Sequence, residues 1–326
     1  MGNSADIRKE NKRAIYSLML DGGVYTKHQI SQATGLSVAT CNTLLNDMAA
    51  QGFVCAVSKQ AGEVGRSAAL YQIDPDHEQY LTLYFELEGQ TRLIETTVFS
   101  AIGDILERRT RRFAQISPEA ITAVIASCRE KYPKLAQVIV GIPGIAEQGI
   151  IRHCDIRELE NLHLQEELEQ AFSLPAAMEN DMHHKAYGYY IDTGNREDVI
   201  TLGYFPKGNP PGTVTIHKST ILRGTSGIAG MAGFLPHGGK NLQEILTPEH
   251  CLPFVVQTIG AIIALLNPGT IVLTGELISK ELLDEVKEIC AETIPAEYMP
   301  RFQLVDTLDE YYREGMYRLA VARKAF

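Results

Sequence analysis

The sequence predicts an α/β protein in which a winged helix-turn-helix precedes a larger body of two lobes. Three observations carry that prediction. Residues 1–74 set out a helix, two short helices separated by a Gly-containing turn, and a Gly-rich hairpin, in the order of a winged helix. From about residue 78 onward, extended apolar runs alternate with helical segments, as in layered α/β folds. The alternation occurs twice, over about 78–182 and about 195–300, which divides the 75–326 domain into two lobes, the C-terminal helix joining the first.

The N-terminal elements follow from local chemistry. RKENKRAIYSLML at 8–20 places Ile15, Leu18 and Met19 at helical spacing, and DGG at 21–23 ends that helix. Thr26 is placed to cap a helix over 27–33, which Gly35 closes. Ser37 caps a second helix over 38–50, with Leu44, Leu45 and Met48 facing inward and Gly52 at its end. GFVCAVSKQAGEVGRSAALYQID then alternates apolar and polar residues around a Gly-rich turn, the pattern of a two-stranded wing.

In helix-turn-helix geometry the second helix offers Ser37, Val38, Ala39, Thr40, Asn42, Thr43 and Asn46 to a groove. Asn pairs bidentately with adenine, and Thr or Ala touches a thymine methyl. Helix 38–50 has no Lys or Arg, so phosphate contacts are expected from Lys27, His28, Gln29, Lys59, Arg66 and the first helix. Arg66 at the wing tip either enters a minor groove or is a solvated turn residue. The competing reading of the whole segment is a small helical bundle that binds protein.

In the body, YLTLYFEL and LIETTVFSAIGDILERRT read as three strands, with a turn at Ala101–Gly103. SPEAITAVIASCREKY is a helix capped by Ser117, LAQVIVGIPGIAEQGII a buried strand entering a Gly-Pro-Gly loop, LHLQEELEQAF a helix and PAAME a short strand. The second lobe reads as strands EDVITLGYF and TVTIHKSTIL, the Gly-rich RGTSGIAGMAGFLPHGG, the long helix PEHCLPFVVQTIGAIIALLN, strand TIVLTG and helix SKELLDEVKEICAET. A strand FQLVD and a helix beginning at Leu308 complete the chain.

Charge and composition bound the function. The net charge of −10 resides in the body: residues 1–74 hold seven Lys/Arg against six Asp/Glu, and the rest hold 23 against 34. So acidic a chain is no general nucleic-acid binder, but a near-neutral module on it can bind DNA through a local patch. The apolar runs are too short to span a bilayer, and the N-terminus lacks a signal-peptide core and a myristoylation pattern. Six cysteines without a CxxC are expected to be reduced thiols in a cytoplasm.

Five segments together resemble the ROK family (repressors, open reading frames, kinases). They are GRSAALYQID at the end of the wing, GIPGI at 141–145, ENDMHHKAYG at 179–188, LRGTSGIAG at 222–230 and LLNPGTIVLTGELI at 265–278, in family order over nearly the whole chain. The resemblance implies an actin-like, ribonuclease H-like sugar-kinase body of two lobes around a cleft. The winged helix in front implies the branch of sugar-responsive transcriptional repressors.

In ROK kinases the Asp at the position of Asp181 is the base that activates a sugar hydroxyl, and the Asn at the position of Asn180 holds another. Phosphoryl transfer also needs loops that cradle phosphate. The first of these corresponds to FELEGQTR at 85–92, where Glu86 or Leu87 replaces an Asp and Glu88 a Gly. The second corresponds to GYFPKGNPPGTVTI, where Pro206, Pro210 and Pro211 remove N–H donors. In the family's G-E-x-G-H segment, Met231 stands for Glu and Phe234 for His, and Cys251 alone remains of a zinc-binding Cys cluster.

These departures predict no phosphorylation, no cofactor and no metal. Gly144, Asn180, Asp181, Met231 and Phe234 are expected to line a small, sugar-like effector site. Asp181 itself is a vestigial base, a ligand-holding acceptor or a helix-capping carboxylate. The expected function is that of a cytoplasmic, dimeric or higher-order repressor of a double-stranded DNA operator. The alternatives are an active ATP-dependent carbohydrate kinase with an appended DNA-binding domain, and a scaffold that has lost both activities.

Overall fold

Caps and glycines place the first helices. In the computed structural model, which describes residues 4–57, 69–194 and 199–322, α1 (Ser4–Leu18) is followed by a 3-10 turn that Gly22 closes. A short β1 (Tyr25–Thr26) leads into α2 (Lys27–Thr34). The Thr26 hydroxyl accepts from the Gln29 N–H, and the Gln29 side chain accepts from the Thr26 N–H at 2.8 Å, a reciprocal capping box. Gly35, left-handed at φ 72°, ends α2, and Ser37 accepts from the Thr40 N–H at 3.1 Å to start α3 (Val38–Ala50). Ile15, Met19, Ile30, Cys41, Leu45 and Met48 form the buried centre of this bundle. Arg8 and Lys12 on α1 clamp Asp47 on α3 at 2.9 and 2.7 Å.

The wing strands β2 (Val54–Val57) and β3 (Leu70–Ile73) pair antiparallel, and β1 adds to β3, so the wing sheet has the order β1-β3-β2. The third strand was not expected, because two residues carry no alternation. Lys59 and Arg66 lie outside the described residues.

The body contains two five-stranded sheets. The first comprises β4 (Gln79–Glu88), β5 (Thr91–Ser100), β6 (Ile105–Phe113), then after α4 (Pro118–Lys131) β7 (Leu135–Ile142). Next come β8 (Gly144–Glu147), β9 (Ile150–Cys154), α5 (Leu164–Phe172) and β10 (Ala176–Asn180). The second half runs α6 (Asp181–Asp192), β11 (Val199–Tyr204), β12 (Gly212–His217), β13 (Thr220–Ile221), α7 (Leu242–Ile245) and α8 (Leu252–Leu266). It ends with β14 (Thr270–Thr274), α9 (Lys280–Ala291), β15 (Arg301–Leu304) and α10 (Tyr312–Ala322).

The sheets have the orders β6-β5-β4-β7-β10 and β13-β12-β11-β14-β15. Each therefore reads 3-2-1-4-5 in its own strands: an antiparallel meander whose first strand pairs parallel with the fourth. One topology used twice is the architectural content of the repeated alternation.

The chain divides into two compact units, Met1–Gly141 with His163–Met178 and Tyr317–Phe326, and Ile142–Leu162 with Glu179–Met316. Within the first, the Tyr16 and Tyr80 hydroxyls both donate to buried Glu78, at 3.2 and 2.6 Å, which ties α1 to the first sheet. Two expectations are corrected. Where a loop was expected after the buried strand, the chain forms a separate hairpin, β8–β9. The long helix expected from Pro248 begins at Leu252, where Pro253 in its first turn needs no N–H partner.

Candidate DNA-reading face and effector site

Helix α3 presents one open side. Val38, Ala39, Thr43 and Asn46 are exposed, while Thr40 and Asn42 are half-buried. Several side chains already have local partners. Ser37 is the α3 cap and its hydroxyl lies 2.8 Å from that of Thr40, Thr43 donates to the Ala39 carbonyl at 3.1 Å, and Gln29 completes the α2 capping box. Lys27, on the first turn of α2, donates to the Asn42 amide oxygen and lies 5.3 Å over the Tyr71 ring. Lys27 and Asn42, expected to serve separately, are thus a pair. His28 stays exposed.

The second site is built at the junction of β10 and α6. Asn180 caps α6 by accepting from the His183 N–H at 3.3 Å, and its amide N–H donates to the Gly144 carbonyl at 2.6 Å. Asn180 and Gly144 are therefore brought together, and the amide is occupied holding them. Gly144 is required by proximity: a Cβ there would stand 2.0 Å from the His153 carbonyl oxygen. Asp181 is the first residue of α6, where the helix N-terminus favours a negative charge.

The Asp181 side chain is 23% exposed, and Lys185, one turn along, approaches it to 3.6 Å and Asp309 to 2.7 Å. Burial raises the Asp181 carboxyl above the usual carboxylate range, against the pull of Lys185. Desolvation and then the charge of Asp181 raise Asp155 as well. Burial works against the Lys185 ammonium, but Asp181 and Asp309 outweigh it and hold its pKa above the usual lysine value. Beside this group a cavity of about 360 Å³ opens at the carboxyl ends of the parallel strands β11, β14 and β15, lined by Lys185, Tyr204, Gly275, Glu276, Asp306 and Asp309 among others. Such strand ends are where open α/β sheets hold ligands.

Met231 and Phe234 belong to the Gly-rich segment that follows β13. Met231 is half-buried, whereas Phe234 is 62% exposed at the surface. Residue patterning missed the contact that anchors this segment: Arg223 donates to Glu179 at 2.8 Å, and the other Glu179 oxygen lies 2.6 Å from His183 Nδ1. The four-residue spacing of Glu179 and His183 on ENDMH was a signal for half of it.

The two phosphate-loop positions are now visible. β4 and β5 stay paired to Glu88 and Thr91, so FELEGQTR closes in a tight hairpin with Gly89 at φ 60°. Between β11 and β12, the N–H groups of Phe205, Lys207 and Gly208 donate to Thr274 O, Glu276 Oε2 and Leu246 O at 2.9, 3.3 and 2.9 Å. The remaining four residues of that loop are Pro206, Asn209, Pro210 and Pro211, so three of them carry no N–H. All six cysteines are free thiols. Among the described residues, no three His, Cys, Asp or Glu side chains gather as a metal site, and no helix is long and apolar enough to cross a membrane.

The chain sets a winged helix ahead of two sheets of one repeated strand order. The ROK family profile matches residues 88–252, and a winged helix-turn-helix DNA-binding profile matches residues 8–54. The chain belongs to the ROK family. It is 23% identical over 257 residues to the xylose repressor of Caldicellulosiruptor bescii, an alignment covering 75% of this chain and 62% of that protein. It is 23% identical over 305 residues to the DNA-binding transcriptional dual regulator NagC of Escherichia coli K12, covering 89% of this chain and 72% of NagC. The crystal structure of a ROK family transcriptional regulator, a homologue of the E. coli MLC protein, superposes with a TM-score of 0.71 at 17% identity, covering 98% of this chain and 100% of that one. The fold is therefore shared along the whole length of that regulator, while the chain spans only 62% of the xylose repressor.

Proposed function

We propose that the chain is a DNA-binding transcriptional repressor whose ROK body binds a small, sugar-like effector without phosphorylating it. The observation that supports this reading best is the capped helix-turn-helix with an open α3 face, set on a ROK body. The relatives named as xylose repressor and NagC agree with it. Val38, Ala39, Asn42, Thr43 and Asn46 are assigned to the groove, and Lys27 and His28 to its edge. Because α3 carries no Lys or Arg, affinity depends on two copies reading paired half-sites, so the active form is a homodimer or larger.

The effector site comprises Gly144, Asn180, Asp181 and the segment bearing Met231, with Glu179 and Arg223 as its support. A second reading, an ATP-dependent carbohydrate kinase, is favoured by one fact: burial raises Asp181, as a general base requires. The loop between β11 and β12 argues against it: three of its N–H groups bond within the protein and three of its residues are prolines, which leaves that of Asn209 as the remaining donor, too few to cradle a polyphosphate. Selection from random duplexes by the purified chain tests the repressor reading. A two-fold-related site should be enriched. If none is enriched at low salt, the scaffold reading takes its place.

A further inference from the structure

The bond between Lys27 and Asn42 decides which base Asn42 can read. An ammonium has three donors and no acceptor, so the amide atom that faces it is the oxygen. The ammonium is held there from a second side, because it also lies 5.3 Å over the Tyr71 ring of β3. Both side chains are half-buried, so the pair is packed as well as bonded.

Adenine recognition by asparagine needs both ends of the amide. The N–H donates to N7, and the oxygen accepts from the N6 amino group. With its oxygen turned to Lys27, Asn42 has only N–H donors left to offer, and the remaining ammonium hydrogens are donors too. An edge with acceptors only is the complement. In the major groove that edge is guanine, with N7 and O6.

We propose that Lys27 and Asn42 act as one all-donor unit that specifies guanine, where asparagine alone would specify adenine. The proposal rests on the DNA-binding reading above and names the base class its recognition helix selects. Val38 and Asn46, one turn before and after Asn42 and both exposed, bracket the contact on the same side of α3.

The test is selection from random duplexes with four full-length proteins: the natural chain, Asn42→Ala, Asn42→Asp and Lys27→Met. The natural chain should enrich guanine over adenine by about tenfold or more at one position of each half-site. Asn42→Ala should relax that position alone. Asn42→Asp keeps the bond to Lys27 and the side-chain shape but loses the amide donors, so it should relax guanine too and covers the case in which the alanine variant fails to fold. Lys27→Met removes the ammonium, keeps an unbranched side chain of similar length and frees the amide oxygen, so the same position should change to adenine.

Adenine at that position with the natural chain overturns the proposal, as does an unchanged preference in Lys27→Met. So does a preference that neither Asn42 substitution relaxes. Failure of the natural chain to enrich any sequence refutes the regulator reading itself, and is a separate outcome from enrichment of the wrong base.

Discussion

Replacing Glu179 by alanine should loosen the segment that follows β13 by a calculable amount. The Glu179 side chain is 11% exposed and Arg223 is 29% exposed, so the pair is largely but not wholly removed from water. Breaking a fully buried pair costs about 3–5 kcal/mol, and the partial exposure of the guanidinium reduces this to about 2–3 kcal/mol. The penalty is sharpened because Arg223 Nη2 is buried without a hydrogen-bond partner among the described residues. Arg223→Ala should cost less, about 1–2 kcal/mol, because Glu179 keeps its contact with His183. The double variant should then fall short of the sum by about 1–2 kcal/mol, the coupling of two groups in contact. Urea unfolding followed by circular dichroism measures all three. Chymotryptic cleavage at exposed Phe234 should also accelerate in both single variants, since Arg223 anchors that segment. Additive costs, or losses below about 0.5 kcal/mol, would show that the ion pair is incidental and refute the reasoning.

Gly144→Ala should cost about 3 kcal/mol, since its Cβ would meet a backbone oxygen at 2.0 Å and the β8–β9 hairpin must move; a shift in urea midpoint checks it. Asp181→Asn should stabilise the protein at neutral pH. A carboxyl raised by burial lends stability that is complete below the ordinary carboxylate pKa and is lost as pH rises through the native value, and asparagine does not ionise. The advantage in Tm should therefore be present at pH 7 and vanish below about pH 3.5, and equal melting temperatures at pH 7 would contradict it. A coupled ATP-turnover assay over hexoses and N-acetylated amino sugars should stay at the no-protein level, and saturable turnover abolished by Asp181→Ala would reinstate the kinase reading.

The helix-turn-helix was legible because its signals are local. Thr26, Ser37 and Gly35 each act within one helical turn, and the structure uses all three as caps. The repeated alternation disclosed two α/β halves, but the 3-2-1-4-5 order is a fact of pairing between distant strands and has no local signature. β1 is too short to show a period, and the β8–β9 hairpin depends on the close approach of Gly144 to His153.

The same division holds at the sites. A helix start at ENDM was readable, with Asp181 as a candidate for its cap or first residue; the structure makes Asp181 the first residue and Asn180 the cap. The Glu179–Arg223 pair joins residues 44 positions apart and leaves no spacing to detect. Prolines announced a loop poor in N–H donors, but the capture of three further N–H groups by Leu246, Thr274 and Glu276 required the folded chain. Lys27 and Asn42 were each visible as DNA-facing residue types, and only the folded chain shows that they bond to each other, with Lys27 over the Tyr71 ring.

The most direct measurement is an equilibrium titration of the purified chain with its enriched duplex and with a scrambled duplex of equal length, over a range of salt. The repressor reading predicts that the enriched duplex binds about 10³-fold or more tightly, and that both affinities fall as salt rises because phosphates shed counterions. Removal of residues 1–74 should abolish binding to both. Equal affinity for the two duplexes, or binding that survives the truncation, would contradict the account.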